Sequence, residues 1–334
     1  SILHPAYDSA KDVVYPGIET ELREAIDLLS RGVLAPGGDD LLYQGEMEKW
    51  NKFAHSLLLK IYLRQGASGQ AKAAQLYSSN DQFILTNDEM AKVDFAGTPG
   101  NANPFWNNSK SSALGNYYVA TTTLLDYMVS TNDTRIPQFF DPTPAGTYIG
   151  LNPGDIQAQP STATFARPQG SLAPAGGRMF SASNPVIFMS AWESNLLLAE
   201  AAARGWITAD AQALYNAAVH ASFEYLGLDA AAADAYLAAG GAYNPANAIK
   251  SIALQKWVCM NGFQPLEAWI ETRRLDSAAT PIFSSPGGIF KSPTVNSLGA
   301  GVFPSILPYP DDEENLNQSF PGQHPLTAKV FWDN

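Results

Sequence analysis

The sequence is poor in cysteine, in charged residues and in long hydrophobic runs, and each scarcity excludes a class of protein. Cys259 is the only cysteine, so no internal disulfide supports the fold. No apolar stretch approaches the roughly 20 residues that a membrane-spanning helix requires. Charged residues make up only 16% of the chain and its formal net charge is −12, which disfavours nucleic acids and anionic lipid surfaces as partners. Such a polar, weakly charged surface suits neutral ligands.

Common catalytic and nucleotide-binding signatures are also missing. The chain has no Walker A, HExxH, GxSxG or paired CxxC motif, and its four histidines are scattered. The acidic run 311–314 lacks the spacing of an EF-hand loop, so we favour a solvated turn over a calcium site and leave a metal undecided. Cys259 lies among apolar neighbours, which predicts a buried structural thiol. We expect no catalytic residues and no cofactor.

Hydrophobic periodicity predicts a mainly α fold. Residues 1–90 and 186–275 carry apolar side chains at intervals of three and four residues, which form one face of a helix. Residues 91–185 are rich in Gly, Pro, Asn, Ser and Thr with interspersed aromatics, and residues 276–334 are again irregular. We expect tetratricopeptide-like helical hairpins to form a scaffold, with a long irregular loop-rich region packed on it.

Residues 191–226 show this pattern most clearly and predict two amphipathic helices joined by a short turn. Gly205 ends the first helix and Asp210 caps the second. A hairpin of this kind cannot bury its apolar face alone, so it needs stacked neighbours. We expect four large residues to be buried where the helical pairs stack: Trp192, Leu196, Trp257 and Trp269.

Two adjacent arginines, Arg273 and Arg274, come near the end of a further predicted helix. Arginine at a helix C-terminus is favoured by the helix dipole and can bond the last carbonyl groups, or tie down a following loop. We therefore expect structural roles for both.

The best ligand-binding signal is an aromatic cluster in the loop-rich range 91–185. It combines rings with amide side chains, and its members are Phe105, Trp106, Asn107, Tyr117 and Tyr118. Sugars have apolar C–H faces that stack on rings and hydroxyl groups that bond to amides. The alternative is that these rings only fill a loop-rich region. For Trp106 the two interpretations have equal support, and for each tyrosine the filling role is favoured.

A series of segments runs through the chain in a family-specific order. They are WNKFAHSL (50–57), TNDTRI (131–136), YIG (148–150), WESNLLLAEA (192–201), QKW (255–257), EAWIETRR (267–274), PYPDDEENLN (308–317) and VFWD (330–333). Together they resemble the SusD/RagB family, the cell-surface glycan-binding lipoproteins of Bacteroidetes. His55 stands where the family usually has asparagine, Thr134 replaces a proline, and Pro304-Ser305-Ile306 lacks the family's arginine.

The resemblance covers nearly the whole chain and implies one SusD-like domain over residues 1–334, with 91–185 as the ligand-binding region. It implies a non-enzymatic protein, exported and lipid-anchored at the outer-membrane surface. Such proteins bind oligosaccharides or other nutrients and cap a TonB-dependent SusC-like transporter. The lipidated cysteine and first helices are expected in an N-terminal part that this chain lacks, so that membrane attachment runs only through that anchor.

Two other functions remain open from the sequence. One is a glycoside hydrolase on a helical scaffold, because 32 acidic residues leave room for the carboxyl pair that such enzymes need. The other is a protein–protein interaction scaffold built from stacked helical hairpins. Ligand-contacting residues vary within the resembling family, so the aromatic cluster rests on its own chemistry.

Overall fold

The structure, a computed structural model, describes residues 5–32, 35–79, 82–110, 118–155, 164–171, 173, 176–293 and 295–333. Within these ranges the chain forms twelve α-helices and four short strands. The helices are α1 Tyr15–Ser30, α2 Met47–Arg64, α3 Gln70–Ser79, α4 Pro104–Lys110, α5 Thr122–Ser130, α6 Ile136–Phe139, α7 Ala191–Ala203, α8 Ala211–Tyr225, α9 Ala230–Leu237, α10 Ala248–Cys259, α11 Pro265–Arg274 and α12 Asp311–Leu316. The strands are β1 Ala91–Val93, β2 Phe140–Asp141, β3 Arg167–Pro168 and β4 Val186–Met189.

The predicted hairpin of residues 191–226 is formed by α7 and α8, which pack extensively against each other. Ser190 caps α7 by accepting a hydrogen bond from the Glu193 amide, and Asp210 caps α8 through two backbone amides. Gly205 follows α7 with a φ of 70°, a left-handed conformation that glycine adopts without strain. The local sequence therefore sets both ends of the hairpin.

Helix α7 is the centre of the scaffold. It packs against α2, α8 and α10, and residues 191–201 are all buried. Trp192 and Leu196 are fully buried, which confirms two of the four predicted core positions. The prediction for Trp257 and Trp269 is wrong in degree, because both are only partly buried. Their helices pack against the scaffold with other faces.

Charged groups are buried on those packed faces, and they are paired. The Arg274 guanidinium donates to both Glu200 oxygens at 2.8 and 2.6 Å and to Glu271 Oε2 at 2.6 Å. The Lys256 ammonium donates to Glu271 at 2.7 Å. Burial alone would raise the pKa of Glu271, but the charges of Arg274 and Lys256 hold that pKa well below its usual range. This network ties α7, α10 and α11 together.

A second buried network links α2 to the same helices. Lys60 lies 2.6 Å from Glu193 and 3.1 Å from Glu267, and Arg64 lies 2.6 Å from Glu267. Lys60 and Glu193 side chains are 5% and 0% exposed. Because an unpaired buried charge is strongly unfavourable, these contacts fix how α2 sits on α7 and α11.

The loop-rich range is anchored to the scaffold by Arg135, which is fully buried. Its guanidinium donates to Asp133 Oδ2 at 2.6 Å, to Gln255 at 3.1 Å, to Ser222 at 2.9 Å and to Cys259 Sγ at 3.2 Å. Cys259 is itself fully buried, and burial raises the pKa of its thiol. The predicted buried thiol is thereby confirmed, and the 131–136 segment acquires a structural role.

Two antiparallel strand pairs border the loop-rich range. Strand β1 pairs with β4, with Ala91 opposite Met189 and Val93 opposite Val186, and β2 pairs with β3. Ile187 and Met189 on β4 are buried, whereas the alternate residues of that strand are exposed. Strand β4 leads directly into α7, so the loops start and end on the scaffold.

The C-terminal range 276–333 is irregular, as predicted, apart from α12. The acidic run 311–314 forms the first turn of that short exposed helix. No group of three or more His, Cys, Asp or Glu residues in the described ranges is arranged to hold a metal ion. Asp276 organises the start of this range, because its carboxylate accepts from the amides of Ile282, Ser284 and Ser285.

Candidate functional site

The predicted aromatic cluster lies on α4 and on the chain that enters α5. Asn103 begins α4 by accepting hydrogen bonds from the amides of Phe105, at 2.9 Å, and Trp106, at 3.3 Å. Its side-chain amide also donates to the Asn184 carbonyl at 2.9 Å, which fixes the helix start to the segment before β4. Asn103 therefore fixes the start of α4, which carries three members of the cluster.

Phe105 and Tyr118 are the exposed rings of this cluster. They are 39% and 41% exposed, and their centroids lie 4.7 Å apart in an edge-to-face arrangement. Phe105 also contacts the buried Phe180 at 5.3 Å, so its ring is held from below. The structure thus brings together two predicted residues whose rings are accessible to a ligand.

Trp106 is less exposed than Phe105 and Tyr118. Its ring packs on Phe180 with centroids 5.0 Å apart. It also lies against Gly176, where an added Cβ would come within 2.8 Å of the indole. Trp106 is partly buried and supports the cluster from the side. Asn107 is exposed and donates to the Ala102 carbonyl at 3.2 Å. Tyr117 lies outside the described residues.

A separate cavity of about 480 Å³ lies between α5, α10, α11 and the C-terminal irregular range. Its walls include four aromatic rings and two cations: Trp257, Trp269, Phe290, Phe303, Arg273 and Lys291. Phe290 is central to this wall, because its ring lies 5.7 Å from Trp257 and 6.0 Å from Phe303. Cavities of this volume with apolar walls and a few polar groups are typical ligand sites.

A smaller depression of about 200 Å³ adjoins this cavity. Trp257, Trp269, Thr272 and Phe290 line both spaces. The two tryptophans therefore border two accessible spaces, which explains their partial burial.

The periodic pattern of the sequence does not indicate this cavity, for a physical reason. Trp257 follows Gln255 and Lys256, which are both buried on the face of α10 that meets the scaffold. At 100° per residue, a position next to a buried pair can still lie at the edge of the packed face. The signal in the sequence is the pair Phe290 and Phe303 of the C-terminal range, whose spacing follows no helical period.

Comparison with known proteins identifies the family of this chain. A family model, SusD-like, described as "Starch-binding associating with outer membrane", matches residues 1–297. The chain belongs to the SusD-like family. Its mainly α architecture of tetratricopeptide-like hairpins is the SusD-like fold, as the sequence predicted. No curated protein sequence matches it significantly.

Solved structures agree with this assignment. The SusD-like chain matches a chitin-binding SusD homologue from Flavobacterium johnsoniae with a TM-score of 0.78 and 22% identity, over 100% of this chain and 74% of that one. A SusD homologue from Bacteroides uniformis matches with a TM-score of 0.76 and 25% identity, over 99% and 74% of the two chains. A third, from Bacteroides fragilis, gives 0.75 and 21%, over 94% and 71%.

Membership supports carbohydrate binding and association with the outer membrane, which are the properties in the family's description. Among the described residues, no helix is both long enough and apolar enough to cross a bilayer. The family assignment gives no support for catalysis.

Proposed function

We propose that this SusD-like protein binds a neutral oligosaccharide on the surface formed by Phe105 and Tyr118. Asn107 lies on the same helix as Phe105 and supplies an amide beside the rings, while Trp106 holds the cluster in place. The single observation that carries the proposal is the pair of rings, 39% and 41% exposed and 4.7 Å apart, on a helix start fixed by Asn103. Tyr117 belongs to the proposed site by its position next to Tyr118.

Stacking, rather than charge, is the proposed source of affinity. The apolar C–H face of a pyranose ring packs on an aromatic ring, and amides bond the equatorial hydroxyl groups. Residues 101–109 contain no charged side chain. A neutral sugar is therefore the ligand class that this surface suits. The chitin-binding homologue suggests N-acetylglucosamine oligomers as first probes, and the family description suggests malto-oligosaccharides.

Calorimetry with an oligosaccharide selected on a glycan array tests the site. We expect Phe105→Ala and Tyr118→Ala each to weaken binding at least about tenfold, or ~1.4 kcal/mol. The matched control is Tyr7→Ala, because Tyr7 is also 39% exposed and makes an edge-to-face pair with Tyr309 at 5.4 Å. Raising the salt from low to moderate concentration should leave the affinity nearly unchanged. Folded Phe105 and Tyr118 variants with wild-type affinity would refute the proposed site.

We further propose that the glycan is delivered to a TonB-dependent SusC-like transporter, and that the protein is lipid-anchored and exported to the cell surface. The support is the outer-membrane association in the family description. The test is affinity purification of the full-length protein from solubilised outer membranes. Recovery of a SusC-like transporter supports delivery, and its absence under conditions that retain glycan binding contradicts it.

The same protein preparations test the two alternative functions, a glycoside hydrolase and a protein–protein interaction scaffold. Release of reducing ends from a bound polysaccharide would indicate a hydrolase, whereas retained transporter binding without any glycan binding would indicate a purely protein–protein scaffold.

A further inference from the structure

Adjacent arginines at the end of α11 have opposite environments. The Arg274 guanidinium is saturated by Glu200 and Glu271. Arg273 is 8% exposed, yet its Nε and Nη1 are buried without a hydrogen-bond partner. The closest carboxylate oxygen, Asp333 Oδ2, lies 3.9 Å from Nη1, which is too far for a hydrogen bond. Burial accordingly lowers the pKa of Arg273, whereas its two carboxylates raise that of Arg274 against burial.

The faces of the Arg273 guanidinium are covered, but its edge is not satisfied. Trp269 lies over the guanidinium carbon at 4.0 Å and Trp332 at 4.8 Å, so the group is held between two indoles. Stacking of this kind fixes the plane of the group but supplies no acceptor for the Nε and Nη1 donors, whose N–H bonds lie within that plane. A buried donor without an acceptor is costly, and a bound anion would remove that cost.

Arg273 lines the 480 Å³ cavity described above, and the rest of the lining suits an anion attached to an apolar ring. Lys291 adds a second cation, where its ammonium pairs with the exposed Asp126 at 2.5 Å. Trp257 and Phe290 supply flat apolar walls. No carboxylate belongs to the described lining of this cavity, although the chain as a whole carries a net charge of −12.

We propose that this cavity is a second, acidic-sugar site that binds a uronic acid residue of an oligosaccharide. The carboxylate accepts a hydrogen bond from the Arg273 guanidinium, and the apolar face of the sugar ring packs against Trp257 and Phe290. Lys291 attracts the anion to the mouth. The site is distinct from the Phe105–Tyr118 surface, and neither proposal depends on the other.

The first test is ligand class, measured by calorimetry at low salt and by the fluorescence of the cavity tryptophans. We expect glucuronate or galacturonate to bind, with affinity that falls as salt rises. Glucose should bind at least about tenfold more weakly, because it leaves the guanidinium edge unsatisfied. Benzoate, a carboxylate on an aromatic ring, tests whether the cavity selects a sugar acid or binds any carboxylate attached to a ring. Equal affinity for glucose and glucuronate, preference for benzoate over both uronates, or no uronate binding would overturn the proposal.

The second test uses variants with matched controls. Lys291→Glu reverses a charge at an exposed position, so the fold should be retained, and we expect about three- to tenfold weaker uronate binding. Lys92→Glu is its control, because Lys92 also pairs with an exposed aspartate, Asp94, at 2.6 Å. A folded Lys291→Glu variant with wild-type uronate affinity would contradict the assignment.

Arg273→Gln removes the proposed anion ligand itself and should reduce uronate affinity by at least about tenfold. Its control is Arg23→Gln, since Arg23 also lies over a ring, that of Tyr62, at 5.8 Å. Circular dichroism checks the fold, and if Arg273→Gln unfolds, the Lys291→Glu pair decides. Phe105→Ala should retain uronate binding, and Arg273→Gln should retain neutral-glycan binding. Loss of both ligands in either folded variant would count against two separate sites.

Discussion

The centre of the helical scaffold and the aromatic cluster of the loop-rich range 91–185 expose their large side chains to different extents. In the scaffold, Trp192 is fully buried and charges such as Glu271 are enclosed with their counter-ions. In the loop-rich range, Phe105 and Tyr118 leave about 40% of their surface accessible and no charged residue lies between 101 and 109. The centre of the scaffold is thus closed packing, and the loop-rich range is tied to it by Arg135, which donates to Gln255 of α10.

This contrast teaches where sequence change is tolerated. Removing a buried charge from the scaffold leaves its partner uncompensated, whereas truncating an exposed ring leaves the fold intact and changes only what the surface contacts. Stability and ligand preference should therefore vary independently, and the following predictions test that separation.

The largest expected effect comes from Arg274→Met. The substitution leaves Glu200 and Glu271 buried with fewer counter-charges, so we expect a loss of about 3–5 kcal/mol in the free energy of unfolding. Urea unfolding followed by circular dichroism measures it. The control is Arg31→Ala, whose ion pair with Asp27 is exposed and should contribute less than about 0.5 kcal/mol. A similar small shift for both variants would show that the buried network is not what holds α7 and α11 together.

Truncation of two tryptophans gives the next effect. Trp192→Ala should cost about 3–5 kcal/mol, as expected for a fully buried indole. Trp257→Ala should cost roughly half as much, because its ring borders the cavity and its removal enlarges an accessible space rather than a closed one. Unfolding midpoints of the two variants give the comparison. Equal losses would place Trp257 in the closed core, where the periodic pattern first put it.

A smaller effect concerns His55, which stands where the family usually has asparagine. Its side chain is buried on α2, with Nδ1 2.8 Å from the Asn51 carbonyl, and burial lowers its pKa from the usual value near 6.5. The folded state favours neutral His55. Its contribution to the free energy of unfolding is therefore complete above pH 6.5 and is lost as the pH falls through the lower folded-state pKa.

Between pH 7.5 and 5.5 the wild-type protein should therefore lose stability relative to His55→Asn, with a slope of at most about 1.4 kcal/mol per pH unit for one proton. Urea midpoints of both proteins across this range provide the measurement. Parallel pH profiles would mean that His55 takes up a proton in the folded state as easily as in the unfolded one.

The scaffold was predictable because its determinants are local and periodic. The spacing around Trp192, the cap at Asp210 and the glycine at 205 specify α7 and α8 without knowledge of the rest of the chain. The pairing of Lys60 with Glu193 and the anchoring of Arg135 by Gln255 were not predictable, since they join residues more than 100 positions apart. Charge pairing of that range leaves no periodic trace.

The candidate sites show the same limit. Composition pointed to the aromatic cluster, but whether Phe105 or Trp106 faces solvent depends on Phe180 and Gly176, which are some 70 residues away. Composition and periodicity do not indicate the cavity, because its walls come from α10, α11 and an irregular range without a repeat. Distant aromatic residues meet there only after the scaffold has formed.

The burial of Cys259 has a practical consequence. Alkylating reagents react with the thiolate, and burial keeps this thiol protonated and out of reach at neutral pH. Since the chain contains no second cysteine, a cysteine introduced at an exposed position is the one thiol that a maleimide will modify. A fluorophore beside either proposed ligand surface can thus be attached to an introduced cysteine without first removing Cys259, and wild-type protein treated with the same maleimide reports any background reaction.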